Sequence, residues 1–165
     1  MSPREILLAL STSRYSRHLV QTAMDEARRF KQANDAVEID VLYVIEEEEL
    51  AEVSRKVGDV GFLGLTFQKD VLNVLGDEHH RTALRRVGEI QQQAGELAIA
   101  VNVEEVRGDF EEELVEKAEA KRYDVILISA TERPFITRLL FGSEDERVAR
   151  LFREENLGRL IIDEV

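Results

Sequence analysis

Two short apolar runs, Ile6-Leu7-Leu8-Ala9-Leu10 and Val125-Ile126-Leu127-Ile128, constrain this chain more than any other feature. Neither alternates with polar residues, so neither suits a sheet with one wet face. Continuous runs of this length belong to strands covered on both faces, as in the middle of a parallel α/β sheet. Ser11-Thr12-Ser13 ends the first run, and beyond it the period changes. Tyr15, Leu19, Ala23, Ala27 and Phe30 recur at three- and four-residue steps, with Arg17, Asp25, Arg28 and Arg29 between them, which predicts a helix laid on the sheet.

The rest of the chain repeats that alternation. Val37-Glu38-Ile39-Asp40-Val41 alternates and then runs into Leu42-Tyr43-Val44-Ile45, a strand exposed at its start and buried at its end. Residues 46–75 resist assignment. The acidic run Glu46-Glu47-Glu48-Glu49 reads as the solvated first turn of a helix. The glycines 58, 61 and 64, interleaved with Val60, Phe62, Leu63, Leu65 and Phe67, read as cover for the sheet or for a partner subunit. Helical spacing returns through Leu84, Val87, Ile90, Ala94 and Leu97, and Ile99, Val101 and Val103 then alternate as in a half-exposed edge strand. Asp109 with Glu112 forms a capping box ahead of Phe110, Leu114 and Ala118. Gly142-Ser143 precedes a helix carrying Val148, Leu151 and Phe152, and Leu157-Gly158 leads into a last strand at Leu160-Ile161-Ile162.

Five strands separated by four helices imply a three-layer α/β sandwich, with helices on both faces of a parallel sheet joined by right-handed crossovers. The two continuous runs belong in the middle and the alternating strand at an edge, giving the order 3-2-1-4-5. The expected organisation is one domain over residues 1–165, with 46–75 as a variable insertion after the second strand. In that order the connections change direction between the first and fourth strands, so a ligand crevice is expected at their carboxyl ends, Ser11-Thr12-Ser13 and Ser129-Ala130-Thr131.

Charge and composition narrow the partners. A 165-residue chain with 44% hydrophobic residues can bury a core, and its formal charge of −12 repels phosphate backbones and anionic lipid. Nucleic acid and membrane partners are therefore not expected. Without cysteine there are no disulfides or thiolate metal sites. Met1-Ser2-Pro3-Arg4 leads into only five apolar residues, too few for a signal sequence, and no stretch approaches a membrane span. The expected location is the cytoplasm.

The opening Ile6-Leu7-Leu8-Ala9-Leu10-Ser11-Thr12-Ser13-Arg14-Tyr15-Ser16, together with Gly142-Ser143, resembles the universal stress protein family over nearly the whole chain. The resemblance implies the adenine nucleotide alpha hydrolase-like fold. In its nucleotide-binding members it also implies an aspartate closing the first strand, then two glycines three apart after the fourth strand, nine residues, and glycine with serine or threonine. Here the aspartate position is Ser11, the loop glycines are Ser129 and Glu132, and Arg133 to Phe141 space them from Gly142-Ser143. Only the final pair is retained. Backbone amides cradle phosphate where no Cβ intrudes, and Glu132 adds both bulk and negative charge. A carboxylate beside a triphosphate costs about a kcal/mol or more per close contact unless Mg²⁺ or an arginine compensates.

Two readings follow. The first is a non-enzymatic homodimeric stress-response protein without a cofactor, acting through contacts with a protein partner not identified by sequence. Family members commonly pair through the last strand, and Leu160, Ile161 and Ile162 form such an apolar edge. The alternative is a nucleotide-sensing module holding ATP, with Mg²⁺, or AMP through Ser11, Thr12, Val44, Ser129, Gly142 and Ser143, with Arg14, Arg133 and Arg138 as anion donors. Several positions in these segments have a plainer role as well. The arginines suit an exposed surface, Ser13 suits the N-cap of the first helix, and Ser143 with Glu146 suits a capping box. His79-His80 reads as a solvated helix start rather than a metal site, since neighbouring side chains on a helix diverge. With His18 as the remaining histidine, no Ser-His-Asp triad is indicated. Gly61-Phe62-Leu63-Gly64 lacks the lysine of a phosphate loop and reads as a connection.

Overall fold

The computed structural model describes residues 3–46, 65–129, 144–155 and 157–163. The strands are β1 (Arg4–Ser11), β2 (Val37–Glu46), β3 (Ala100–Gly108), β4 (Val125–Ser129) and β5 (Arg159–Asp163). The helices are α1 (Arg17–Gln32), α2 (Leu65–Glu96), α3 (Phe110–Ala120) and α4 (Glu144–Glu155). The sheet is parallel in the order β3-β2-β1-β4-β5, as expected from the two continuous runs.

Side-chain alternation along β1 separates two cores. Ile6, Leu8 and Leu10 face α1 and α2, where Leu19, Ala23 and Met24 meet Val87, Ile90 and Ala94. Leu7 and Ala9 face α3 and α4, where Phe110, Leu114 and Ala118 meet Val148 and Phe152. Residues 6–10 are wholly inaccessible, which is why no polar residue interrupts them. Truncating Leu8 to alanine would leave a cavity and cost about 3 kcal/mol.

Several local expectations shift. The N-cap of α1 is Ser16, not Ser13: Ser16 is extended (φ −145°, ψ 152°) and its Oγ accepts from the Leu19 amide at 2.9 Å. Ser11 and Arg14 exchange backbone hydrogen bonds of 3.1 and 3.2 Å, closing a tight turn that delays the helix to Arg17. The buried stripe of α2 is Ala83, Val87, Ile90 and Ala94, whereas Leu84 is 59% exposed. Residues 65–75, left unassigned by the sequence, continue the same helix. The acidic run from Glu47 onward and the 58, 61 and 64 glycines lie outside the described residues. Asp109 caps α3 as expected, accepting from the Glu112 amide at 3.0 Å.

Candidate functional site

The register aligns Ser11 with Val44 across β1 and β2, and Leu8 with Leu127 across β1 and β4, so Ser11 and Ser129 both lie at carboxyl ends where the connections diverge. Ser11 is fully buried, and its Oγ donates to Glu46 Oε2 at 3.1 Å. Ser13 Oγ donates to the same oxygen at 3.0 Å. The position that the family resemblance gives to aspartate thus carries a hydroxyl, and a carboxylate reaches it from the end of β2. Val44 packs its side chain into the α3 and α4 core. Gly142, Ser143, Glu132, Arg133 and Arg138 lie outside the described residues, as does the proposed box of Ser143 with Glu146.

Arg14 is not a surface arginine. Its side chain is wholly buried, with Nη1 donating to the Ser129 carbonyl at 2.8 Å and the guanidinium 4.4 Å from the Phe110 ring centroid. A planar, weakly hydrated cation can be buried in this way when an aromatic face and a carbonyl replace water. The guanidinium joins the turn after β1 to the end of β4.

The remaining rim comes from α2. Arg86 Nη1 donates to the Thr12 carbonyl at 3.1 Å, the Ser11 carbonyl at 3.3 Å and the Tyr43 hydroxyl at 2.9 Å, while its guanidinium stacks 4.1 Å from the Tyr15 ring. His79 is half-buried in mid-helix rather than at a solvated start, and its Nδ1 lies 2.8 Å from Thr12 Oγ1. Burial lowers the His79 pKa; Arg86 adds to this, while Glu78 and Glu46 oppose it. His80 turns away to Glu105 at 2.7 Å, so the two histidines diverge as expected. Among the described residues no group of three or more histidine or acidic side chains is placed to hold a metal ion.

His79 and Arg86 were the residues missed. They stand seven apart, one face of a helix after two turns, and that spacing was the available signal. Glu46 was read only as part of an acid run. His18 also has a partner beyond sequence reach: Asp163, closing β5, accepts from Ser16 Oγ at 2.6 Å and lies 2.6 Å from His18 Nδ1. In this arrangement Asp163 stands between serine and histidine, so it is not a nucleophile-base-acid relay.

The fold has known counterparts. The solved structure of hypothetical protein MJ0577 aligns with TM-score 0.57 and 21% identity, covering 98% of this chain and 96% of that one. Universal stress protein UspA from Lactobacillus plantarum aligns with TM-score 0.59 and 18% identity, covering 97% of each. Hypothetical protein PH0823 aligns with TM-score 0.51 and 19% identity, covering 98% and 94%. No curated protein matches the sequence. Among the described residues no helix is long and apolar enough to cross a membrane. The sequence profile of the universal stress protein family matches residues 3–153, and the chain belongs to that family.

Proposed function

We propose that this protein is a non-enzymatic, homodimeric stress-response protein that acts through protein contacts and keeps no bound nucleotide. The observation that supports the reading is that the chain's own groups bond to one another at the carboxyl ends of β1, β2 and β4. Ser11 and Ser13 donate to Glu46, and the buried Arg14 guanidinium faces the Ser129 carbonyl. A nucleotide would have to displace these bonds, and Glu46 would repel any phosphate placed beside it. A like-charge contact at about 4 Å costs about 1 kcal/mol at the dielectric of bulk water and about 4 kcal/mol near a protein surface.

Titration calorimetry with ATP and Mg²⁺, on protein first checked for co-purified nucleotide, tests this directly. The expected result is no heat of binding up to millimolar ATP. Micromolar binding would favour the second reading, a nucleotide sensor with a modified phosphate loop. In that case Glu46→Gln should tighten ATP binding several-fold by removing one negative charge.

The dimer is proposed through β5, which ends the sheet and, among the described residues, has a strand paired along one side only. Pairing that row across a twofold axis would cover Leu160, Ile161 and Ile162, all partly exposed in the single chain.

A further inference from the structure

We propose that Thr12 is a covalent acyl-acceptor site, with the His79 imidazole as its general base and uncharged activated esters as its substrate class. The inference is independent of the reading above, since a single self-modification requires neither nucleotide nor turnover.

A threonine hydroxyl is a poor nucleophile until a base takes its proton, and the recognisable feature of an activated one is a base within hydrogen-bond reach. Thr12 Oγ1 lies 2.8 Å from His79 Nδ1 and 3.4 Å from the Tyr43 hydroxyl. The residue is held from both sides. Arg86 Nη1 binds the Thr12 carbonyl at 3.1 Å and the Tyr43 hydroxyl at 2.9 Å, fixing main chain and phenol together. Burial favours the neutral form of His79, with Arg86 adding to this against the opposing charges of Glu78 and Glu46, and in the tautomer that carries its proton on Nε2 the Nδ1 atom accepts from Thr12. Tyr43 is fully buried, whereas Thr12 and His79 are only partly buried, so the pair lies at the edge of the core rather than within it.

Local charge selects the electrophile. Glu46 Oε2 lies 3.0 Å from the Ser13 hydroxyl and 3.1 Å from that of Ser11, the residues on either side of Thr12. An anionic phosphoryl donor would be repelled there, while a neutral acyl carbonyl would not. In the step, Thr12 Oγ1 forms a bond to the acyl carbon and its proton passes to His79 Nδ1. The carbon–oxygen bond to the leaving alcohol breaks, and the alcohol departs with that electron pair and takes the proton back from His79. The products are an O-acyl threonine and the free alcohol.

The test is acylation of the full chain by p-nitrophenyl acetate, following p-nitrophenol release and mapping the acetyl group by peptide mass spectrometry. The expected result is one equivalent released per chain, with the acetyl group on Thr12. The rate should rise with pH as His79 becomes neutral, with a midpoint below the ordinary imidazole range. Thr12→Ser should keep the label, Thr12→Val should lose it, and His79→Gln should slow it by about 100-fold or more. Acetylation confined to lysines or His18, an equal rate in folded His79→Gln, or no labelling at all would overturn the proposal. Should His79→Gln fail to fold by circular dichroism, the Thr12→Ser and Thr12→Val pair with the pH profile of the unaltered protein decides. The ATP titration is read separately, so failure of either reading is distinguishable from failure of the other.

Discussion

Tyr123 donates its hydroxyl to Asp40 Oδ2 across 2.6 Å, tying the segment that enters β4 to the middle of β2. Lys121 reaches the same oxygen at 2.9 Å and also approaches Glu5 at 3.0 Å, and Asn102 donates to the other Asp40 oxygen at 3.0 Å. A buried carboxylate is tolerable only when its lone pairs are met in this way. Asp40→Ala leaves the Tyr123 hydroxyl and the Lys121 ammonium short of their acceptor and is expected to destabilise the protein by about 3 kcal/mol, read from urea unfolding.

The same network predicts a pH dependence. Burial alone would raise the Asp40 pKa, but the bonds from Tyr123, Lys121 and Asn102 outweigh it and the net direction is down. A folded-state pKa below the unfolded one means stabilisation that is complete above the ordinary carboxylate range and lost as pH falls through the depressed value. Melting temperature should therefore drop below about pH 4, with a shallower drop in Asp40→Asn. An unchanged slope in that variant would assign the acid sensitivity to other carboxylates. Asp163, lowered by Ser16 and His18 against the effect of burial, contributes in the same direction.

Ser16→Ala removes the N-cap of α1 and one donor to Asp163 together. The cap alone contributes about 1 kcal/mol. Unfolding should show at least that loss, and Ser16→Thr should recover most of it, because a threonine hydroxyl can make both bonds. Equal losses in the two variants would argue against the cap.

Gly158 adopts φ +125°, and a Cβ there would lie 2.6 Å from the Tyr123 carbonyl oxygen. Both strain and collision oppose any side chain at the entry to β5. Gly158→Ala should cost about 2 kcal/mol and lower the melting temperature without altering the secondary structure seen by circular dichroism.

Ile161→Glu tests the β5 dimer. Light scattering should show a dimer for the parent protein and a monomer for the variant. Ile161 also packs against the α1 and α2 core, so circular dichroism must show a folded variant before the mass is interpreted. A monomeric parent protein would end the proposal for that edge.

The sheet was legible because β1 and β4 are covered on both faces, leaving uninterrupted apolar runs, and because Asp109 caps α3 within its own neighbourhood. What escaped was decided by distant partners. Arg14 meets a carbonyl 115 positions away, and no local pattern announces that a cation will be buried. Ser13 has the composition of an N-cap, but its hydroxyl goes to Glu46, 33 positions on. On α2, Ala83 faces the sheet while the larger Leu84 faces outward, so counting bulky residues chose the wrong neighbour. At the crevice, Ser11, Thr12 and Ser129 were legible from strand ends alone, whereas Glu46, His79 and Arg86 required the folded arrangement of β2 and α2.

A helix of 32 residues is about 48 Å long, and α2 grips the Ser11 and Thr12 carbonyls and the Tyr43 phenol through the single guanidinium of Arg86. Sliding α2 by one turn, about 5.4 Å, would take that guanidinium out of reach of all three oxygens. The axial position of α2 and the geometry of the turn after β1 are therefore fixed together: the helix cannot shift by a turn while these bonds are kept.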